Sequence, residues 1–223
     1  MIYDLTQPVF GCSVYPGDPA PEWIPKNRIE NGDLYNLSAF SMCAHNGTHI
    51  DAPAHFIKDG KTVEQLELNK LFGLAFVADE TGELGADDAR KLLTKVEAAC
   101  PEAGKRILFR GDAVITAEAA KVFAEAGVFL LGTESQSVGP LHAPMEVHLI
   151  LLKEEIVLLE GIRLERVREG VYFLCCTPLL LNGAEGAPCR AVLSDSIIER
   201  ADKTTLAGGM VSAKCETRGN GNS

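Results

Sequence analysis

Between residues 74 and 132 the chain alternates short apolar runs with helix-period segments, and no other feature restricts the fold as much. LAFVA (74–78) reads as a buried strand and ADDARKLLTKVEAA (86–99) as a helix with acids in its first turn. RILFR (106–110) follows as a strand, TAEAAKVFAEA (116–126) as a helix stopped by Gly127, and VFLLG (128–132) as another strand. Strands separated in this way are joined by crossovers, so part of the sheet is expected to be parallel. On either side the pattern changes. The N-terminal third is rich in turns (VYPGDPAPEW, IENGD) and contains one strand, YNLSAFSMCA. Near the C-terminus IVLLEG, VYFLCCTPLLL and CRAVLSD are apolar and β-branched or aromatic enough to be strands. MEVHLILLK fits a short helix or a strand equally well, because its periodicity does not decide. The expected fold class is α/β, a mixed β-sheet closing into a barrel-like core flanked by helices.

No repeat, low-complexity block or linker divides the 223 residues, and 46% hydrophobic content is enough for one large core. A single domain over residues 1–214 is expected, with the CETRGNGNS tail (215–223) disordered. The net charge of -10 argues against nucleic acid or an anionic membrane as partner and favours a small-molecule substrate. MIYDLTQPVF has no basic segment followed by an apolar one, and no run approaches eighteen apolar residues. The seven cysteines are odd in number and form no C-x-x-C, which suits reduced thiols. Cys175 and Cys176 read as strand packing. Together these features predict a soluble, cytoplasmic protein.

The segment HNGTHIDAPAH, from His45 to His55, holds three of the five histidines. His45, His49, Asp51 and His55 are all odd-numbered, so wherever the segment is extended their side chains point to one side. Gly47 and Pro53 argue against a helix through it. An irregular or extended strand end that presents nitrogen and oxygen ligands in one direction suits zinc, manganese or iron. His45, His49 and Asp51 already supply three ligands, the usual number for a catalytic zinc with one open position. Downstream, His148 and Glu160 flank the apolar stretch LILLKEEIVLL, and Glu160 ends a hydrophobic strand just before Gly161. A carboxylate at the inner end of a buried strand is costly unless a cation compensates it. Five groups exceed what one tetrahedral ion with an open site can use, so two ions sharing Asp51 or Glu160 is the natural solution. Thr48 is read as a support for a ligand or the backbone, and Gly47 as room for backbone close to the ion. Ser135 and Ser137 lack the G-x-S-x-G setting of a serine nucleophile, and His142 in GPLHAP reads as a loop residue.

His45-x-Gly47-Thr48-His49-x-Asp51-x-Pro53-x-His55 resembles the H-x-G-T-H-x-D-x-P-x-H signature of the cyclase family that includes the bacterial kynurenine formamidases and the isatin hydrolases. The likeness extends to DLTQPV, to the YPGD turn, to His148 and to LLEG at Glu160. It implies an α/β fold of the swivelling β/β/α type, usually assembled as a homodimer or higher homo-oligomer. In family terms His45, His49, Asp51, His148 and Glu160 would hold one or two Zn2+ ions per chain, with Mn2+ as the alternative, and His55 would be the acid/base. Tyr15 stands where the formamidases usually carry a pocket tryptophan, which makes it a substrate-binding residue. GTESQSVGP (132–140) matches the family's pocket loop only loosely. The implied activity is hydrolysis of a small amide by a metal-activated water, an aryl formamide first and a cyclic amide such as isatin second. Alternatives from other classes are a polyketide-type cyclase and a non-catalytic metal or small-ligand binding protein.

Overall fold

The computed structural model describes residues 1–195. Residues 196–214 of the expected domain and the tail at 215–223 lie outside them.

Among the described residues a nine-stranded mixed sheet curls into a half-barrel, flanked by four helices. Its centre is the parallel block β5 (Phe72–Asp79), β7 (Arg106–Arg110), β9 (Leu130–Thr133) and β10 (Val157–Glu160). On one side β11 (Gly170–Cys175), β13 (Val192–Ser194) and β1 (Ile2–Asp4) add antiparallel strands. On the other, β4 (His49–Asp51) pairs antiparallel with β10 and with the edge strand β12 (Gly186–Pro188). Two small sheets stand apart, a hairpin of β2 (Glu22–Asn27) with β3 (Leu37–Ser41), and β6 (Glu83–Leu84) with β8 (Val114–Ile115).

The crossovers are the helices expected from the alternation. A one-turn α1 (Leu68–Leu71) precedes β5, and α2 (Ala86–Ala99) joins β5 to β7. Asp88 caps the start of α2 by accepting the Gly85 N–H at 3.2 Å, and Ala89, Leu92 and Val96 form its buried stripe. In α3 (Ala117–Glu125), between β7 and β9, Thr116 Oγ1 accepts the Ala119 N–H, and Gly127 leaves the helix end with φ of 64°. MEVHLILLK resolves as a helix, α4 (Met145–Lys153), because Val147, His148, Leu151 and Leu152 bury one helical face. Among the described residues no helix is long and apolar enough to cross a membrane.

Alternation along the parallel strands divides the core into two. Phe76, Ile107, Phe109, Leu131 and Leu158 pack with Leu92, Val96, Phe123, Val147 and Leu151 of the helices. Val77, Leu108, Leu130, Val157 and Leu159 point the other way, onto Leu5, Ile50, Ile162 and Leu174. Cys176 is fully buried in this second cluster, and Cys12, Cys43, Cys175, Cys176 and Cys189 are free thiols. The register of β4 then places the candidate ligands. Asp51 lies opposite Leu158 and His49 opposite Glu160, with Ile50 turned into the second cluster. His49, Asp51 and Glu160 therefore share the helix-covered face with Leu158, at the carboxyl end of β10.

Gly161 closes this corner. Its φ is 67°, and an added Cβ would stand 2.2 Å from both the Gly47 carbonyl oxygen and Gln136 Nε2. Gly183 has φ of 78° with nothing within 4 Å of such a Cβ. Gly183→Ala should therefore cost only the left-handed backbone strain, about 1–2 kcal/mol. Gly161→Ala should cost at least about 2 kcal/mol more, because backbone must move. Urea midpoints of the two variants against the parent measure the difference, and equal losses would overturn this account of the corner.

Candidate metal centre

Three elements deliver the candidate ligands. The turn before β4 places Gly47 at φ of 64°, and its carbonyl accepts the Nδ1–H of His49 at 3.0 Å. That bond commits one ring nitrogen to the backbone and directs Nε2 inward, 3.3 Å from Asp51 Oδ1 and 3.5 Å from Glu160 Oε2. On α4, His148 donates Nδ1–H to the Pro144 carbonyl at 2.8 Å, one helical turn back. Its Nε2 faces Glu160 Oε1 at 3.4 Å and Asp51 Oδ2 at 3.7 Å. His45, before the strand, stands with Nδ1 2.8 Å from Asp51 Oδ1 and Nε2 3.4 Å from Glu185 Oε1. At the end of β10, Glu160 Oε1 also accepts the Val138 N–H at 2.8 Å.

These groups form two sets, His45–His49–Asp51 and Asp51–His148–Glu160, in each of which the donor atoms lie within 4.8 Å of one another. Asp51 belongs to both. The set tests well against a divalent cation. Its donors are imidazole nitrogen and carboxylate oxygen, which suit zinc and manganese. Asp51 and Glu160 are 1% and 2% exposed, and two carboxylates at such depth cost several kcal/mol each unless positive charge meets them. Asp51 Oδ2 and His45 Nε2 are buried with no hydrogen-bond partner among the described residues.

Without a metal the carboxylates raise the proton affinity of the histidines that face them. Burial disfavours the His49 imidazolium, but hydrogen bonds to Asp51 and Glu160 outweigh it and push the pKa up to about 10. His148 is raised in the same way, burial being overcome by its contact with Glu160, and His45 is raised by Asp51 against its own burial. Burial would raise Asp51, yet hydrogen bonds from His45 and His49 hold it well below the usual carboxylate range.

His55 differs. It ends the 3-10 turn Pro53–His55 after β4, outside both donor sets. Its ring stacks on His45 at 4.0 Å, and its centroid is 6.1 Å from that of His148. Burial lowers its pKa below the usual histidine value, and the neighbouring His45 and His148 add to that against Asp51 and Glu160. At neutral pH it is a neutral imidazole able to accept a proton.

All these groups except Asp51 border a cavity of about 270 Å3, whose wall is completed by Tyr15, Asp18, Cys43, Phe56, Gln136, Ser137 and Pro144. Tyr15 and Asp18 come from the YPGD turn, closed by the Asp18 N–H on the Tyr15 carbonyl at 3.0 Å with Gly17 at φ of 102°. The Tyr15 hydroxyl donates to the Leu141 carbonyl at 2.7 Å, holding its ring at the cavity. His142 is exposed and is not part of that wall.

Thr48 supports the corner as expected. Its hydroxyl donates to the Gly161 carbonyl at 2.7 Å and accepts the Gln7 N–H at 2.9 Å. The reading of Gly47 needs correction, because a Cβ there would meet Cys12 Cβ at 2.8 Å. The missing side chain makes room for Cys12. Sequence reasoning also missed Gln7, whose Nε2 donates to the Gly161 carbonyl at 2.7 Å, and Gly186, where a Cβ would press on the His45 ring at 2.5 Å. Gln7 lies in DLTQPV, so that stretch carried a signal. Glu185 and Gly186 carried none, since they approach only through the pairing of β12 with β4.

Residues 3–140 match the family model described as "Putative cyclase". A kynurenine formamidase of Erythrobacter litoralis is 33% identical over 208 residues, covering 87% of this chain and 94% of its own. Among solved structures, a "potential metal-dependent hydrolase with cyclase activity" superposes with a TM-score of 0.71 at 27% identity, covering 86% of this chain and 96% of that one. Isatin hydrolase A from Ralstonia solanacearum shares the fold at a TM-score of 0.73 and 20% identity, over 86% and 91% of the two chains. The histidine segment lies inside the matched region and the relatives span nearly their whole length, so this chain belongs to the cyclase family.

Proposed function

We propose that this chain is a metal-dependent amidohydrolase acting on a small amide, an aryl formamide of the N-formylkynurenine type first and a cyclic amide such as isatin second. The observation that carries the reading is the buried pair of donor sets sharing Asp51, with neutral His55 beside them in the same cavity. Membership of a family that holds kynurenine formamidases supports it. The 270 Å3 cavity is at the small end of ligand pockets, which run from about 300 Å3 upward, and suits a substrate of one ring. The Tyr15 and Phe56 rings on its wall favour an aromatic one.

His45, His49, Asp51, His148 and Glu160 would hold zinc, or manganese in its place, as one ion or as two sharing Asp51. Such an ion supplies Lewis acidity and makes water acidic enough to react near neutral pH. The protein's part is positional. Gly47 and Pro144 carbonyls hold the His49 and His148 rings so that Nε2 faces inward. The His55 imidazole takes the proton of the attacking water and returns it to the departing amine nitrogen, and its lowered pKa favours the neutral ring that the first transfer needs.

A chelator is expected to abolish formamide turnover, and zinc or manganese to restore it. Metal uptake must also expel protons, because in the metal-free site His49 stays protonated up to about pH 10. Apparent metal affinity should then rise with pH between about 6 and 9. Indicator-dye titration of the metal-free protein reads the released protons, and pH-independent affinity without release would overturn the ligand assignment.

His49→Ala should lose metal and activity together. For His55→Ala, metal content should match the parent while kcat falls by about 10²–10⁴-fold, the usual worth of a positioned acid/base. Metal analysis beside formamide kinetics separates the two, and metal loss in His55→Ala as deep as in His49→Ala would make His55 a ligand.

The active form is proposed to be a homodimer. Cross-strand neighbours Trp23 and Phe40 on the β2–β3 hairpin are 54% and 57% exposed and enclose Phe10 at 5.2 and 6.3 Å. Exposed aromatic patches are common where protein chains meet, which supports the reading. Light scattering should give the mass of two chains, and Trp23→Ser should reduce it to one. A parent of single-chain mass would exclude the dimer.

A further inference from the structure

The three histidines of the donor sets do not face the centre in the same way. His49 and His148 give Nδ1–H to the Gly47 and Pro144 carbonyls and turn Nε2 inward. His45 is reversed. Its Nδ1 stands 2.8 Å from Asp51 Oδ1, the same oxygen that His49 Nε2 approaches at 3.3 Å. Turning the His45 ring over would set carbon against that oxygen at a distance that only a hydrogen bond or a shared ion allows, so Nδ1 is the inward atom.

The other edge of the His45 ring lies on the edge strand β12. A Cβ at Gly186 would stand 2.5 Å from Cε1 and 3.0 Å from Nε2, so the ring has its place only because that residue is glycine. His45 Nε2 is buried and has no hydrogen-bond partner among the described residues, and Glu185 Oε1 stands 3.4 Å from it. The backbone of Glu185 is fixed, since its carbonyl accepts the Ala52 N–H at 2.9 Å and the next residue pairs with Asp51. Its side chain is 47% exposed and is seen in no other ion pair among the described residues, which leaves the carboxylate free to close on Nε2.

A histidine that binds a metal through one nitrogen gives the N–H of the other to a carbonyl or carboxylate, which fixes the ring and strengthens it as a ligand. His49 and His148 use carbonyls for this. On the reading of the donor sets as a metal centre, we infer that His45 ligates through Nδ1 and that Glu185 is its positioning residue, accepting the Nε2–H and holding the ring against β12. Glu185 is not itself a member of either donor set.

The test uses the full chain labelled with 15N-histidine, stripped of metal and reloaded with Zn2+ alone. Two-bond 1H–15N correlation spectra distinguish the two nitrogens of each ring and show which one holds the metal. One ring bound through Nδ1 is expected, with every other bound ring held through Nε2. Glu185→Leu should lower Zn2+ affinity by about 10- to 100-fold and shift the Nδ1-bound ring while leaving the Nε2-bound rings in place. Glu185→Gln keeps an acceptor oxygen at the same reach and should stay within about threefold of the parent. Equal losses in the two variants would reduce Glu185 to a distant negative charge and overturn its positioning role. A zinc-loaded parent with no ring bound through Nδ1 would overturn the inference outright and leave the metal centre standing. A parent that binds no Zn2+ would overturn the metal reading and this inference with it.

Discussion

Everything at the centre depends on bringing two carboxylates, Asp51 and Glu160, together out of water. Their backbones meet because β4 pairs with β10, and a one-residue slip in that register would turn His49 and Asp51 to the opposite face. Ile50 guards against the slip, since its burial against Leu159 and Leu5 would be lost at the same moment. The apolar residue between the two candidate ligands thus sets their geometry.

Charge around the carboxylates then sorts the histidines. His45, His49 and His148 face carboxylate oxygen, which raises the proton affinity of all three against their burial. His55 stacks on an imidazole, does not join either set, and is driven toward neutrality by burial. Three residue positions of one motif therefore hold groups with opposite proton affinities. A site that has to bind a cation and also move a proton needs that division.

Much of this was legible from residues alone, for reasons that can be stated. The helices at 86–99 and 117–125 and the strands at 74–78 and 106–110 repeat their apolar positions at the right period and carry caps, acids or glycines at their ends. MEVHLILLK was ambiguous because most of its residues are apolar, and only packing against the sheet reveals which face is buried. The histidine cluster was visible because ligand-type residues crowd into eleven positions, and Glu160 because an acid ends an apolar strand. Glu185 and Gly186 were not visible, and Gln136 only as part of the loosely matching loop at 132–140. Each reaches the site through strand pairing or loop closure across many residues, which leaves no local pattern. Gly47 was misread because a glycine reports a close approach without naming what approaches.

The pairing of β4 has a consequence for how the molecule is made. Its partners, β10 and β12, both come from the far end of the chain, more than a hundred residues after it. During synthesis the parallel block from β5 to β10 can assemble on its own crossovers while the histidine segment waits unpaired. For that interval His45, His49 and Asp51 lack the two strands that fix their place beside Glu160. A ligand that bound the unpaired segment would stabilise the unfolded chain too, and so would add less to the stability of the native fold than one that needs the finished sheet.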